Sequence, residues 1–475
     1  MNVLDIERIK NTFNIIKEDG EWINFKHDSG KQANIFPYVT SHFPKSSLDF
    51  KFILAEFFRL IFGKVLDQEH KPNEIINSVI KKVEVTNNRE QLKEQLRDLI
   101  NKLFFDDHSL EIFHPKAFNY IYIEKNKEPK RIANFLYNVL LNDKNRKNIY
   151  DMCNKESNDN ILVKLMIDSM PCLETDDKQK NNKYKKCLSF IIDLFNKDLE
   201  FILSDDKFNK DYFEKLLKYY YFYYISQLSI HLSKMFTAKA GNELPYPIYF
   251  NLDWERSSKT RKSYEKGWRI LDGVIEELFS HVNCLEFLNS RNDDKGVYLY
   301  AELKKEVINC MSDEKKDQFI EELNKLIKLY KDYHNKISWG KFPNKGDDIN
   351  DSIEDKIKEL FEVINFQFKN SSSTNEAYRR YKKRFKDFCK EEFLQPWGSL
   401  GNRLKLNQEY LIFFTNVCIG NKNKIRQNNL FKEFENRGLF FDKESKKRII
   451  NLYERLNILE KKSDSGDAQY VKEIL

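Results

Sequence analysis

Apolar residues recur near the start of the chain at helical spacing: Leu4, Ile6, Ile9, Phe13 and Ile16, then Phe50, Ile53, Leu54, Phe57, Phe58 and Ile61, then Leu92, Leu96, Leu99 and Leu103. A 3.6-residue repeat brings such positions onto one face, so each run predicts an amphipathic helix. Gly30, Pro37 and Pro44 exclude a single helix over residues 20–44, which are expected to form a loop or short hairpin. Farther along, six consecutive aromatic residues at 219–224 cover every face of a helix. A helix apolar on all sides is normally a central buried one, and His231 in the same run is expected to be satisfied within the core. Pro245 and Pro247 forbid helix, residues 248–252 suit a short strand, and Ser257 or Ser258 can cap a helix running through Trp268 and Leu278.

The C-terminal seventy residues alternate differently. Residues 407–419 (NQEYLIFFTNVCI) predict an apolar helix and residues 429–436 a short second one ended by Gly438; Asp442 then caps a third, KESKKRIINLYERL. ILEKKSDSGDAQYVKEIL follows as strand, turn and strand, with Ser-Asp-Ser-Gly-Asp as the turn. Three helices and a hairpin predict a winged helix-turn-helix. On the third helix Ile449, Leu452, Tyr453 and Leu456 project to one side, and Lys443, Lys447, Arg448, Asn451 and Arg455 to the other, with Glu444 and Glu454 among them. A basic face carrying one amide suits a DNA major groove, and Lys461 and Lys462 in the first wing strand suit phosphate contacts. The same module can dock a protein, and the two glutamates favour that alternative. Before it, residues 375–393 place Tyr378, Tyr381, Phe385 and Phe388 on one face and Arg379, Arg380, Lys383, Lys386 and Lys390 on the other, a second candidate for lining a DNA path.

Charge sharpens this picture. The 475 residues carry a net charge of +7. From Ser371 to the end there are 22 Lys or Arg against 14 Asp or Glu, which leaves residues 1–370 at −1. A basic terminal module on a neutral body is the footprint of a polyanion-binding surface, double-stranded DNA first. Only 14 Gly and 10 Pro argue against a turn-rich all-β fold. The fold expected is mainly α, a multi-helix body ending in the winged helix. Polar stretches at 175–186, 289–296 and 342–351 read as solvated loops, and the domains expected are 1–174, 175–370 (with the aromatic core helix) and 371–475, the last self-contained. Seven Cys without a Cys-x-x-Cys pair argue against a disulfide framework or a structural zinc site and for a reducing cytoplasm. No secretory leader is visible, and residues 219–233 are too short and too polar to span a membrane, so no membrane partner is expected.

Catalytic signatures are thin. Of the Gly-Lys pairs, Gly30–Lys31, Gly63–Lys64 and Gly340–Lys341, none has the spacing of a phosphate-binding loop, so neither ATP hydrolysis nor a cofactor is expected. The one constellation for metal-dependent phosphodiester cleavage is Asp253 and Glu255 on a strand with Lys259 beyond. The alternative is a surface network with Arg256, Lys259 or Arg261.

LEKKSDSGDAQYV (459–471) and LDWERSSKTRKSYEKGW (252–268) together resemble the G component of the bacterial DNA phosphorothioation-dependent restriction module, DptG or DndG. That resemblance implies a defence-complex subunit acting on DNA that lacks the phosphorothioate mark. Its partners would be DptF and DptH, which carry the ATPase and helicase-like motors. It supplies no catalytic residues. The expectation is a non-catalytic DNA-binding and scaffolding subunit; a pure docking scaffold for the ATPase partners, or a nuclease subunit using Asp253, are the alternatives.

Overall fold

The computed structural model describes all residues except 1–2, 14, 19–20, 24, 26, 28–29, 42–48, 84–89, 107–108, 124–126, 155–159, 176–183, 205–208, 239–244, 257, 293–295, 344–351, 462–468 and 474–475; at 16–18, 21–23 and 461 it describes the backbone alone. The expected loops at 175–186, 289–296 and 342–351, the Ser257 cap and the 463–467 turn therefore lie wholly or partly outside the described residues. Nineteen α-helices and five small sheets account for the ordered elements among those residues, a mainly α fold. None of the described helices is long and apolar enough to cross a membrane.

Contacts divide the chain into two units, residues 43–183 with 192–221, and residues 1–42 with 184–191 and 222–475. In the former, helix Phe50–Phe62 starts at Asp49, whose carboxylate accepts from Lys51 N, and ends on Gly63 in the left-handed region. It buries Phe57 and Phe58, and the Phe58 ring stacks on Phe118 at 4.7 Å. Buried Arg59 donates to the carbonyls of Asn119 and Ile121 at 3.1 and 3.0 Å, the partners a buried cation requires. Helix Glu90–Phe104 turns Ile100 and Phe104 inward but leaves Leu92, Leu99 and Leu103 about half exposed.

The larger unit is built around helix Leu278–Leu288, every residue of which is buried. Phe279 lies 4.8 Å from Phe368 of helix Ile353–Asn370 and 4.9 Å from Tyr381 of helix Asn375–Glu392. Glu286, fully buried, accepts from the backbone N–H groups of Gly30, Gln32 and Ala33 at 2.8, 2.8 and 3.0 Å. Glu322 does the same for Val3 and Leu4. Two carboxylates thus hold the N-terminal segment; its hairpin, Ile16–Glu18 against Glu21–Ile23, begins before the loop expected at 20–44 and takes Ile16 out of the first expected helix, which ends at Thr12. The aromatic run is buried throughout. In the smaller unit Tyr220 donates to Asp198 at 2.6 Å; in the larger, Phe222 lies 4.6 Å from Phe393. His231 is half-buried, and burial holds its pKa down.

Strand Asn402–Leu406 is the centre of a three-stranded sheet, parallel to Asn251–Leu252 and antiparallel to Leu394–Pro396. With Phe222 against Phe393, this places residues 371–475 in one core with 222–370, where composition had suggested a boundary. The expected single helix through Trp268 is instead Lys262–Glu265, then Trp268–Glu276 and Leu278–Leu288. Gly267 makes the break: a Cβ there would lie 2.2 Å from the Ser263 carbonyl oxygen.

Candidate nucleic-acid interface

The C-terminal elements run in the order helix Gln408–Ile419, strand Lys424–Arg426, helix Gln427–Asn436, helix Lys443–Arg455, strand Leu459–Lys461 and strand Gln469–Lys472. The last strand is central, antiparallel to both others. Asn407 caps the first helix by accepting from Tyr410 N at 2.8 Å. The turn after Asn436 needs Gly438: its φ is +75°, and a Cβ there would lie 2.3 Å from the Tyr223 ring. The Tyr223 hydroxyl donates to the Asn436 carbonyl at 2.9 Å, so the aromatic helix fixes this corner.

Helix Lys443–Arg455 begins at Asp442, which accepts from Ser445 N at 3.1 Å. Ile449, Leu452 and Tyr453 are buried, and the Tyr453 hydroxyl meets Thr415 Oγ1 at 2.7 Å, joining this helix to Gln408–Ile419. Leu456, expected on the docking face, is 38% exposed because the helix ends at Arg455. Lys443, Lys447, Arg448, Asn451 and Arg455 are all exposed, as are Glu444 and Glu454. Lys447 pairs with Glu444 at 3.3 Å, an exposed contact that contributes at most about 1 kcal/mol. Lys461 lies in its expected strand; Lys462 lies outside the described residues.

The second basic helix, Asn375–Glu392, buries Tyr378, Tyr381, Phe385 and Phe388 as its spacing predicts. Its outer face is less free. Arg379, Lys383 and Lys390 are exposed, and Arg380 pairs with Glu376. Lys386 is held by Asp272 and Glu276 of helix Trp268–Glu276. Lys382, 7% exposed, also meets Glu276, whose carboxyl stays below its usual range: burial opposes the charge, but both lysines outweigh it.

Asp253 and Glu255 do not share a strand face, since the strand stops at Leu252. Glu255 is buried; its Oε1 accepts from Ser445 Oγ at 2.7 Å, Leu252 N at 2.8 Å and Asn251 Nδ2 at 3.0 Å. Its Oε2 has Arg261 at 3.4 Å and Arg448 at 3.7 Å. Arg261 also forms a two-pronged pair with Asp442, Nε and Nη2 each 2.6 Å from a carboxylate oxygen, and Nη2 donates to Ser445 Oγ at 2.9 Å. Burial opposes the Asp442 charge, yet Arg261 and the Ser445 N–H hold its carboxyl below the usual range. Arg403 donates to the Glu255 carbonyl at 2.8 Å while stacked 3.8 Å over Trp397. Of the acidic pair expected to hold a metal, Glu255 thus belongs to a buried clasp on helix Lys443–Arg455, while Asp253 is half-buried beside it in sequence. Lys259 is exposed. Among the described residues no three His, Cys, Asp or Glu side chains gather as metal ligands.

Of the partners expected in a surface network, Arg261 does meet Glu255, but in a buried setting; sequence reasoning missed Ser445 and Arg403 as its partners, and strand Lys424–Arg426. No local pattern signals a contact 190 positions apart. A cleft of about 620 Å³ beside helix Gln427–Asn436 is lined by Pro245, Pro247, Lys422, Lys432, Glu433 and Phe440, among others. The chain matches no protein-family model and no curated protein.

Proposed function

We propose that residues 408–472 form a winged helix-turn-helix and that the chain is a non-catalytic DNA-binding subunit. The observation that carries this reading is the exposed row Lys443, Lys447, Arg448, Asn451 and Arg455 on a helix whose other face is locked to its neighbours. The acid that caps the helix is buried and paired with Arg261, so it subtracts little from the field of the exposed cations. The helix and strand order, with a three-stranded antiparallel sheet, supports the winged-helix reading. The resemblance of segments 252–268 and 459–471 extends it to a scaffolding subunit of a cytoplasmic bacterial restriction complex. That complex acts on DNA lacking phosphorothioate, beside the ATPase and helicase-like subunits DptF and DptH. Exposed Glu444 and Glu454 favour a second reading, in which the same face docks one of those proteins.

Fluorescence titration of a labelled duplex at several salt concentrations, with wild type and Lys447→Glu/Arg448→Glu, tests the first reading. Binding should weaken with salt at a log–log slope of about −0.9 per neutralised phosphate, and the double variant should lose affinity and flatten the slope. An unchanged slope with lost capture of DptF or DptH would transfer the face to protein docking.

A further inference from the structure

We propose that the loop between strand Asn251–Leu252 and helix Lys262–Glu265 belongs to the same polyanion-binding surface as helix Lys443–Arg455, and contacts the nucleic-acid backbone through Arg256 and Lys259. The inference rests on the DNA-binding reading of that helix and widens it to a segment almost two hundred positions away.

Four contacts fix the loop against the first two turns of the helix: Glu255 with Ser445 at 2.7 Å, Arg261 with Asp442 at 2.6 Å, Arg261 with Ser445 at 2.9 Å and Arg448 with Glu255 at 3.7 Å. Arg256 follows Glu255 directly, and its carbonyl accepts from Arg261 Nη1 at 3.1 Å. The loop therefore cannot move away from the helix without breaking buried charge-assisted hydrogen bonds. Its exposed charges are the cations Arg256 and Lys259, while Asp253 is half-buried. Glu255 is buried, whereas Arg256, Lys259 and Lys262 are exposed, as are Lys443, Lys447 and Arg448 across the clasp. Glu255 and Asp442 are ion-paired with Arg261 and exposed Glu444 with Lys447, so the exposed charge on both sides of the clasp is net cationic.

The clasp also explains why a carboxylate is buried there at all. A buried Glu255 is costly unless hydrogen-bonded and paired, and its partners are the residues that orient the loop and Arg448. The partner that fits two cationic segments held side by side is an extended polyanion. Duplex DNA carries roughly ten phosphates over about 17 Å of its axis, enough to meet both segments at once. Phosphate contacts of this kind orient a protein on the duplex without reading sequence.

The full chain is titrated with a labelled duplex from low to moderate salt as wild type, Arg256→Glu/Lys259→Glu and Lys447→Glu/Arg448→Glu; Arg256→Gln/Lys259→Gln guards against a folding defect, and all are checked by circular dichroism. The inference expects the loop variants to bind at least about tenfold more weakly and the salt slope to flatten by up to about 1.8, as two phosphate contacts require. Loss in the helix variant with both loop variants at wild-type affinity overturns the inference and leaves the DNA reading standing. Wild type that binds no duplex, or binds without salt dependence, overturns both.

Discussion

Replacing Asp442 by asparagine should loosen the start of helix Lys443–Arg455 while leaving its cap in place. Asparagine caps a helix as well as aspartate does, so the substitution removes the charge and keeps the acceptor for Ser445 N. Two charge-assisted hydrogen bonds from Arg261, both 2.6 Å, are weakened. The side chains are 13% and 8% exposed, so water replaces the lost contacts poorly. A hydrogen bond to a charged group contributes about 1.5–3 kcal/mol. Arg261 keeps Ser445 and Glu255 as partners, which places Asp442→Asn near the lower end, about 2 kcal/mol. Asp442→Ala also deletes the cap and should reach about 3 kcal/mol. Hydrogen exchange of the helix amides, read by mass spectrometry on the full chain, should speed up roughly 30-fold for the asparagine and roughly 150-fold for the alanine. The Asp442 carboxyl is held below its unfolded value, so its contribution is present above about pH 4 and lost as pH falls through the folded value. The gap between wild type and Asp442→Asn should therefore close below about pH 4. Exchange in Asp442→Asn within twofold of wild type at pH 7 would refute the ion-pair argument, and equal rates in both variants would refute the separate cap.

Gly438→Ala should destabilise the larger unit by about 2–4 kcal/mol in urea melts, from left-handed strain plus collision with Tyr223, whereas Gly63→Ala, at φ +60° with open space around it, should cost only about 1 kcal/mol. Burial holds the His281 pKa down to about 3, so between pH 6.5 and 3 the unfolded chain binds a proton the folded chain refuses. Urea midpoints measured from pH 7 to 5 should fall with acid, and His281→Leu should remove up to about 1.4 kcal/mol per pH unit of that slope; an unchanged slope contradicts the assignment. The isolated fragment 371–475 should lack the sharp cooperative melt of the full chain by circular dichroism, because strand Asn402–Leu406 loses Asn251–Leu252, Phe393 loses Phe222 and Asp442 loses Arg261.

What could be read from the chain was what neighbours in sequence decide. Asp442 announces a helix start through its own side chain, and the spacing of Ile449, Leu452 and Tyr453 sets which face is buried. Six adjacent aromatics leave a helix no polar face, hence its burial. The failures share a physical cause. Lys386 is cationic by periodicity, but Asp272 and Glu276 reach it from another helix. Glu255 resembled half of a metal site because Asp253 is near in sequence, whereas its partners Arg403, Ser445 and Arg448 are 148 to 193 positions away. Strand Lys424–Arg426 has three residues, too few for an alternation to register, and exists because Gln469–Lys472 offers it a partner. Leu92, Leu99 and Leu103 have helical spacing yet face outward, since periodicity reports a shared face and not what covers it.

Whether helix Lys443–Arg455 meets DNA is read from lysine acetylation of the full chain, free and saturated with duplex DNA, followed by mass spectrometry. Lys443 and Lys447 are exposed on the helix proposed to meet DNA, and Lys325, 75% exposed on helix Asp313–Tyr333, serves as the reference. DNA should slow modification of Lys443 and Lys447 several-fold while Lys325 reacts as before. Equal rates at Lys443 and Lys447 in the free and saturated chain would contradict it.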